Sequence, residues 1–339
     1  MPSTAKRRWS RELPNEVDGI AIGSSGPVLL HGYDPPAGGK WIDDVIPGKL
    51  GALDRNTGEQ LWMAPCEVGY GRGFGAGVGD KGQVIVLGPS MSGHRIVRMA
   101  MDDGELLQAA AIPAFDVANV GTDVVICGTP SKLFAIGSSD FKNTWVYARE
   151  GERYHHITRV EDRALVVFSK ENLYGVLVLD AETGDFDRVL VPPSLEAVYG
   201  LAATSEAMVV LTSNLGIALQ GDAMSNFLRD LALHPTGGMK DHLTLAAWRL
   251  DGRRSDAPLW YRILETTDLD DLPDASIAAD SGKLYLERGA LLEAVDALTG
   301  RPLGEWTVPG LDERIAWKVT EGAGLLAEET RVSVFELPA

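Results

Sequence analysis

The apolar and polar positions of this chain change over in short bursts rather than in helical turns. "ALDRNTGEQLW", residues 52–62, shows the unit: two apolar residues enter a polar turn, Asp-x-x-Thr-Gly, and an apolar pair ending in Trp62 leaves it. The unit returns at "AVDALTGRPLGEW" (294–306) and, without the Trp, at "VLDAETGDFDRVL" (178–190). Degenerate copies sit at "RMAMDDGELLQ" (98–108), "FAIGSSDFKNTW" (134–145) and "AAWRLDGRRSDAPLW" (246–260). Their spacing is mostly about 40 residues, the period of a four-stranded propeller blade. Further strand-like segments rich in Val, Ile, Leu and Ala precede each copy, so the pattern predicts an all-β fold.

With strands lettered A to D outward from the axis, blade one is predicted at about 17–65, blade two at 70–112, blade three at 114–149, blade four at 154–193, blade five at 196–264 and blade six at 272–309. The remainder, 313–339, holds only three strands. The N-terminal "KRRWSREL" carries a Trp followed by Leu, as strand D does in "EQLWMA", and is expected to complete blade seven as its outer strand. Joining both chain ends in one sheet protects edges that would otherwise pair with other chains. The prediction is a seven-bladed β-propeller forming a single domain, 1–339. Gly58 supplies a positive φ in the C-to-D turn, Asp54 and Thr57 bond turn amides, and Trp62 and Trp306 wedge between blades.

The Ala-x-Asp-x-x-Thr-Gly-x-x-x-Trp form at Ala52, Asp54, Thr57, Gly58 and Trp62 resembles the repeat of pyrroloquinoline-quinone dehydrogenases and of non-catalytic relatives such as the outer-membrane assembly propeller. The dehydrogenases of that family imply an eight-bladed ring, a signal peptide, a calcium or lanthanide ion beside the quinone and, in many, a disulfide between adjacent cysteines. This sequence shows seven blades and no Cys-Cys pair, so the reading is a member without the quinone.

Composition narrows the partners. The formal net charge of −17 disfavours phosphate backbones, because a nucleic-acid binder needs a concentrated basic surface; a basic protein or a cation fits better. Only Cys66 and Cys127 are present, which suits a reducing compartment. The start "MPSTAKRRWSRELP" has no apolar segment of a secretory signal, and no run of about 18 apolar residues occurs. The expectation is a cytoplasmic protein that binds neither nucleic acid nor membrane.

Two long insertions, 31–49 and 214–242, both join strand B to strand C, on the face that also carries the D-to-A connections. Long ordered loops in compact domains are usually functional. The first holds Trp41, Asp43 and Asp44, an aromatic anchor in an acidic setting. The second predicts a helix at about 223–233, with Asp222 as N-cap, Pro235 as stop and Met224, Phe227, Leu228 and Leu231 on one face. That stripe either packs on the rim or docks a partner.

The D-to-A connections bring Tyr70, Arg72, Tyr154, His155 and His156 toward the channel mouth. Glu16, Asp18, Glu67, Asp116, Glu196, Asp274 and Glu313 come from the same connections, and a ring of such carboxylates is a place for Ca²⁺ or another divalent cation. Consecutive strand residues point to opposite faces, so His155 and His156 share a ligand only if the strand is irregular. One of them is a candidate general base, and Arg72 is a further candidate catalytic residue. "GYGRGFGAGVG" (69–79) lacks the strand-then-helix setting of a phosphate cradle. His234, Asp241 and His242 show no metal spacing, and both cysteines read as small core residues.

Two readings result. The favoured one is a non-catalytic interaction propeller that grips a protein partner with its insertion-bearing face. The alternative is a small-molecule lyase or hydrolase at the channel mouth, and a quinone-dependent dehydrogenase comes third.

Overall fold

Apolar runs of five to ten residues closed by glycine turns resolve into seven antiparallel sheets in the computed structural model. It describes residues 2–14, 16–22, 26–33, 47–69, 75–79, 82–90, 92–213, 215, 219, 221–233, 243–251, 257–264, 275–320 and 322–337. The chain divides into two compact units.

The first unit, residues 1–3, 130–132 and 148–307, carries blades four to six. Blade four is built from Arg153–Val160, Arg163–Lys170, Leu173–Asp180 and Phe186–Leu195, in the order A to D. Blade five follows with Ala197–Ala203, Ala207–Ser213, Leu243–Arg249 and Trp260–Leu264. Blade six has Ala275–Asp280, Lys283–Arg288, Leu291–Asp296 and Pro302–Thr307, and its sheet gains an unexpected two-residue strand, Ser3–Thr4, beyond strand D.

The second unit, residues 4–129, 133–147 and 308–339, carries the other four. Their inner strands are Glu16–Ile22, Gly75–Val78, Val117–Val120 and Ala316–Thr320, for blades one, two, three and seven. Lys6–Glu12 pairs with Arg331–Glu336 and is the outer strand of blade seven, as its Trp and Leu predicted.

Middle strands are buried on both faces, which is why they read as continuous apolar runs. In "AMVVLTS" of blade five, Met208 and Val210 pack in a core with residues of blade four, while Val209 and Leu211 pack in one with blade six. Cys66 and Cys127 lie in such cores and form no disulfide; burial pushes the Cys127 thiol up to about 12.

Within each unit, neighbouring blades are joined by a side chain that reaches the next C-to-D turn. Trp9 donates its indole N–H to the Arg55 carbonyl (2.8 Å), Trp62 to Met101 (2.6 Å) and Trp260 to Ala297 (3.0 Å). Each ring covers a glycine with positive φ, and a Cβ on Gly58, Gly104 or Gly300 would sit 2.6 Å from it. Only glycine meets both conditions at once. Trp306 differs from the expectation: it lies two positions beyond the place of Trp62, which Gly304 occupies, and it is half-buried over that glycine in its own strand.

Candidate functional site

Polar groups are unevenly shared between the two ends of the strands. At the C-to-D end the turns satisfy themselves. Asp54 Oδ1 accepts the amides of Asn56 (2.9 Å) and Thr57 (2.8 Å) and the Thr57 hydroxyl (3.1 Å). Asp180 with Thr183, and Asp296 with Thr299, repeat the arrangement. These donors hold all three carboxyls below the usual carboxylate range.

The B-to-C end is different. Of the ten buried polar or charged side chains among the described residues, eight lie toward it: His31, Ser90, Ser169, Thr212, Thr244, Glu287, Glu328 and Ser333. A buried polar group costs free energy unless it is bonded, so their gathering at one end marks the end where the fold departs from pure packing.

Strand A breaks its register at this same end. In blades one, four and five an extra residue interrupts the pairing with strand B, at Asp18, His155 and Tyr199 respectively. Such bulges re-aim side chains and are frequent beside functional sites. The alternation expected for His155 and His156 therefore fails at this point: the strand is irregular, and the two rings acquire separate partners.

His155 Nε2 lies 2.8 Å from Ser169 Oγ, and its ring is 4.9 Å from that of Tyr174. Burial holds the His155 imidazole below its ordinary range, with the charges of His156 and Arg153 adding to the effect. His156 is also lowered by burial, opposed by a hydrogen bond to the backbone of Val198 in blade five. Both imidazoles are thus biased toward the neutral form. Nearby Tyr199 is 38% exposed. Tyr154, expected to bind at the channel mouth, is only 3% exposed; its hydroxyl donates to Glu152 Oε2 (3.2 Å) and accepts the Arg149 amide (3.1 Å).

The insertion helix spans Gly221–Leu233 and begins before Asp222, which sits in the first turn instead of capping it. Met224 packs half-buried against the core of blades four and five. Phe227 is a correction to the docking expectation: it is 1% exposed, edge-on to Tyr261 with centroids 5.4 Å apart, and so unavailable to a partner. Tyr261 donates to Asp230 Oδ2 at 2.6 Å; burial first, then that carboxylate, pushes its hydroxyl up to about 12. Leu228 remains at the surface, 42% exposed.

Trp41, Asp43, Asp44, Tyr70, Arg72, His234, Asp241 and His242 fall outside the described residues, as do Asp274 and the side chains of Asp18 and Glu67. Among the described residues no group of three or more His, Cys, Asp or Glu is placed to hold a metal ion, and no helix is long and apolar enough to cross a membrane. Sequence reasoning singled out the histidines but missed Ser169, because one serine near the end of an apolar strand carries no pattern of its own.

No family model matches the chain, and no curated protein matches it. Solved structures do. BamB from Moraxella catarrhalis is 12% identical, with a TM-score of 0.54 over 99% of this chain and 98% of that one. The Pan2 WD40 domain of Neurospora crassa is also 12% identical, with a TM-score of 0.60 over 100% and 98%. U3-55K is 10% identical, with a TM-score of 0.62 over 99% and 100%. At these identities the likeness is one of architecture, and with the sheets described above it makes the chain an all-β, seven-bladed propeller of four-stranded blades with one short helix.

Proposed function

We propose that this propeller binds a protein partner on the end of its blades that carries the B-to-C and D-to-A connections. The observation that carries the reading is the asymmetry in polar groups between the ends: self-satisfied turns at one, buried polar side chains at the other, where Tyr199 and Leu228 stand exposed. Aromatic and apolar residues at the surface concentrate binding energy in few positions. The net charge of −17 favours a basic partner, which associates faster at low salt. The repeat and its Trp contacts support kinship with the quinoprotein-like branch of propellers, without the quinone, and the unbridged cysteines support a reducing, cytoplasmic setting.

The test is co-purification from the native source with Tyr199→Ala and Leu228→Glu, alone and combined. Loss of a partner at an unchanged melting temperature is expected. Retention of every partner by the double variant sinks the reading.

A further inference from the structure

Strand B of blade four carries, one residue before its end, a buried serine held against an imidazole. Ser169 is 8% exposed, and its Oγ lies 2.8 Å from His155 Nε2. The imidazole is braced twice. The bulge between Tyr154 and His156 takes His155 out of regular pairing, and the Tyr174 ring packs 4.9 Å away at 49°. Tyr174 stands directly across from Ser169 in the next strand, so one hairpin and the strand beside it supply all three side chains. A serine hydroxyl is a weak nucleophile unless a positioned base is within hydrogen-bond reach, about 2.6–3.2 Å. That base must be unprotonated at working pH, and the surroundings of His155 favour its neutral form.

We propose that Ser169 and His155 form a nucleophile and general-base pair acting on activated acyl groups of the ester class. Ser169 Oγ bonds to the acyl carbon while its proton passes to His155 Nε2. The bond from acyl carbon to ester oxygen then breaks, and the alcohol leaves with that proton. Water attacks the acyl-serine and gives a proton to His155; the carboxylic acid departs, and His155 returns the proton to Ser169 Oγ. This activity goes beyond partner binding and involves neither Tyr199 nor Leu228, so the two readings stand or fall separately.

The experiment exposes the full chain to a fluorophosphonate probe at neutral pH and maps the adduct by mass spectrometry. One adduct on Ser169 is expected, absent in Ser169→Ala and forming about a hundredfold more slowly in His155→Gln. The labelling rate should also fall in acid, as His155 takes up a proton. Mapping on the unaltered chain decides the site even if Ser169→Ala fails to fold. Absence of an adduct on Ser169, or equal labelling of a folded His155→Gln variant, overturns the proposal and leaves Ser169 as the hydrogen-bond partner of a structural histidine.

Discussion

Two joints in one unit do the same work with different chemistry. Between blades one and two, Trp62 covers Gly104 and donates to the Met101 carbonyl. Between blades two and three, Gln108 stands where blade one has Trp62, and Arg98 takes over the contact. Its guanidinium bonds Gln108 Oε1 (2.6 Å), reaches the carbonyls of Ser138 and Ser139, and lies 5.6 Å from the ring centroid of Phe141. Phe141, at φ 58, occupies the place that Gly58, Gly104, Gly184 and Gly300 hold in their turns. The other unit repeats the contrast: Trp260 covers Gly300, whereas Arg188 and Arg163 share the Leu250 carbonyl between blades four and five.

The difference teaches that the acceptor is the constant part of the joint and the donor is exchangeable. The turn must present a carbonyl to the preceding blade, and either an indole or a guanidinium serves. They are not equal. Tryptophan satisfies its single donor while burying a large apolar surface, whereas Arg98 and Arg188 each leave Nε buried without a hydrogen-bond acceptor, which offsets part of the gain.

The largest effect should come from removing an indole together with its strand. Deleting residues 1–14 takes away Trp9, its bond to Arg55, the Arg11 bond to the Gly58 carbonyl and the pairing with Arg331–Glu336. Aggregation or loss of soluble protein on expression is the expected outcome. A soluble protein with an unchanged melting curve would refute the structural role of that strand.

The success of the sequence reading at this strand, and its failure elsewhere, have physical causes. Strand D of blade seven was legible because Trp9 repeats a local pattern, and local patterns survive in one dimension. The arginine joints were not: Arg98 and Arg163 act from middle strands, about 40 or more residues from the carbonyls they reach, and nothing near them signals it. Phe227 was misplaced because an apolar helical stripe states that it packs, not against what; here Tyr261 receives it. His155 was noticed as a candidate base, but the bulge that sets it beside Ser169 depends on pairing register, which alternation alone does not reveal.

Next in size is the indole alone. Trp62→Ala should destabilise by about 3–5 kcal/mol in urea denaturation, the cost of truncating a buried aromatic. Trp306→Ala should cost about 1–2 kcal/mol, because that ring is half-buried over its own strand. Equal losses would erase the distinction between the two tryptophans.

The arginine joint should fail in two steps. Arg188→Met leaves the Leu250 carbonyl bonded to Arg163 at 3.0 Å, so a loss of about 1 kcal/mol is expected. Adding Arg163→Met orphans that carbonyl, and the double variant should lose about 1 kcal/mol more than the sum of the singles. Strict additivity in the urea midpoints would mean that the shared acceptor does not matter.

The smallest effect is a coupling, and it tests directly whether glycine is what an indole requires. Gln108→Trp places an indole in the arginine joint, where the turn offers Phe141 and not the bare Cα that Gly58, Gly104 and Gly300 present to Trp9, Trp62 and Trp260. The added ring must displace the Phe141 side chain or the Arg98 guanidinium stacked near it, and such overpacking costs about 1–3 kcal/mol. Phe141→Gly alone forfeits the apolar contacts of Phe141 in the core of blades two and three, but it suits the positive φ already present. Together the two substitutions rebuild the arrangement of blades one and two, so their combined cost should be about 1 kcal/mol less than the sum. Urea denaturation of the four proteins in the cycle measures that difference. A combined cost equal to the sum would show that the indole and the glycine occur together without depending on each other.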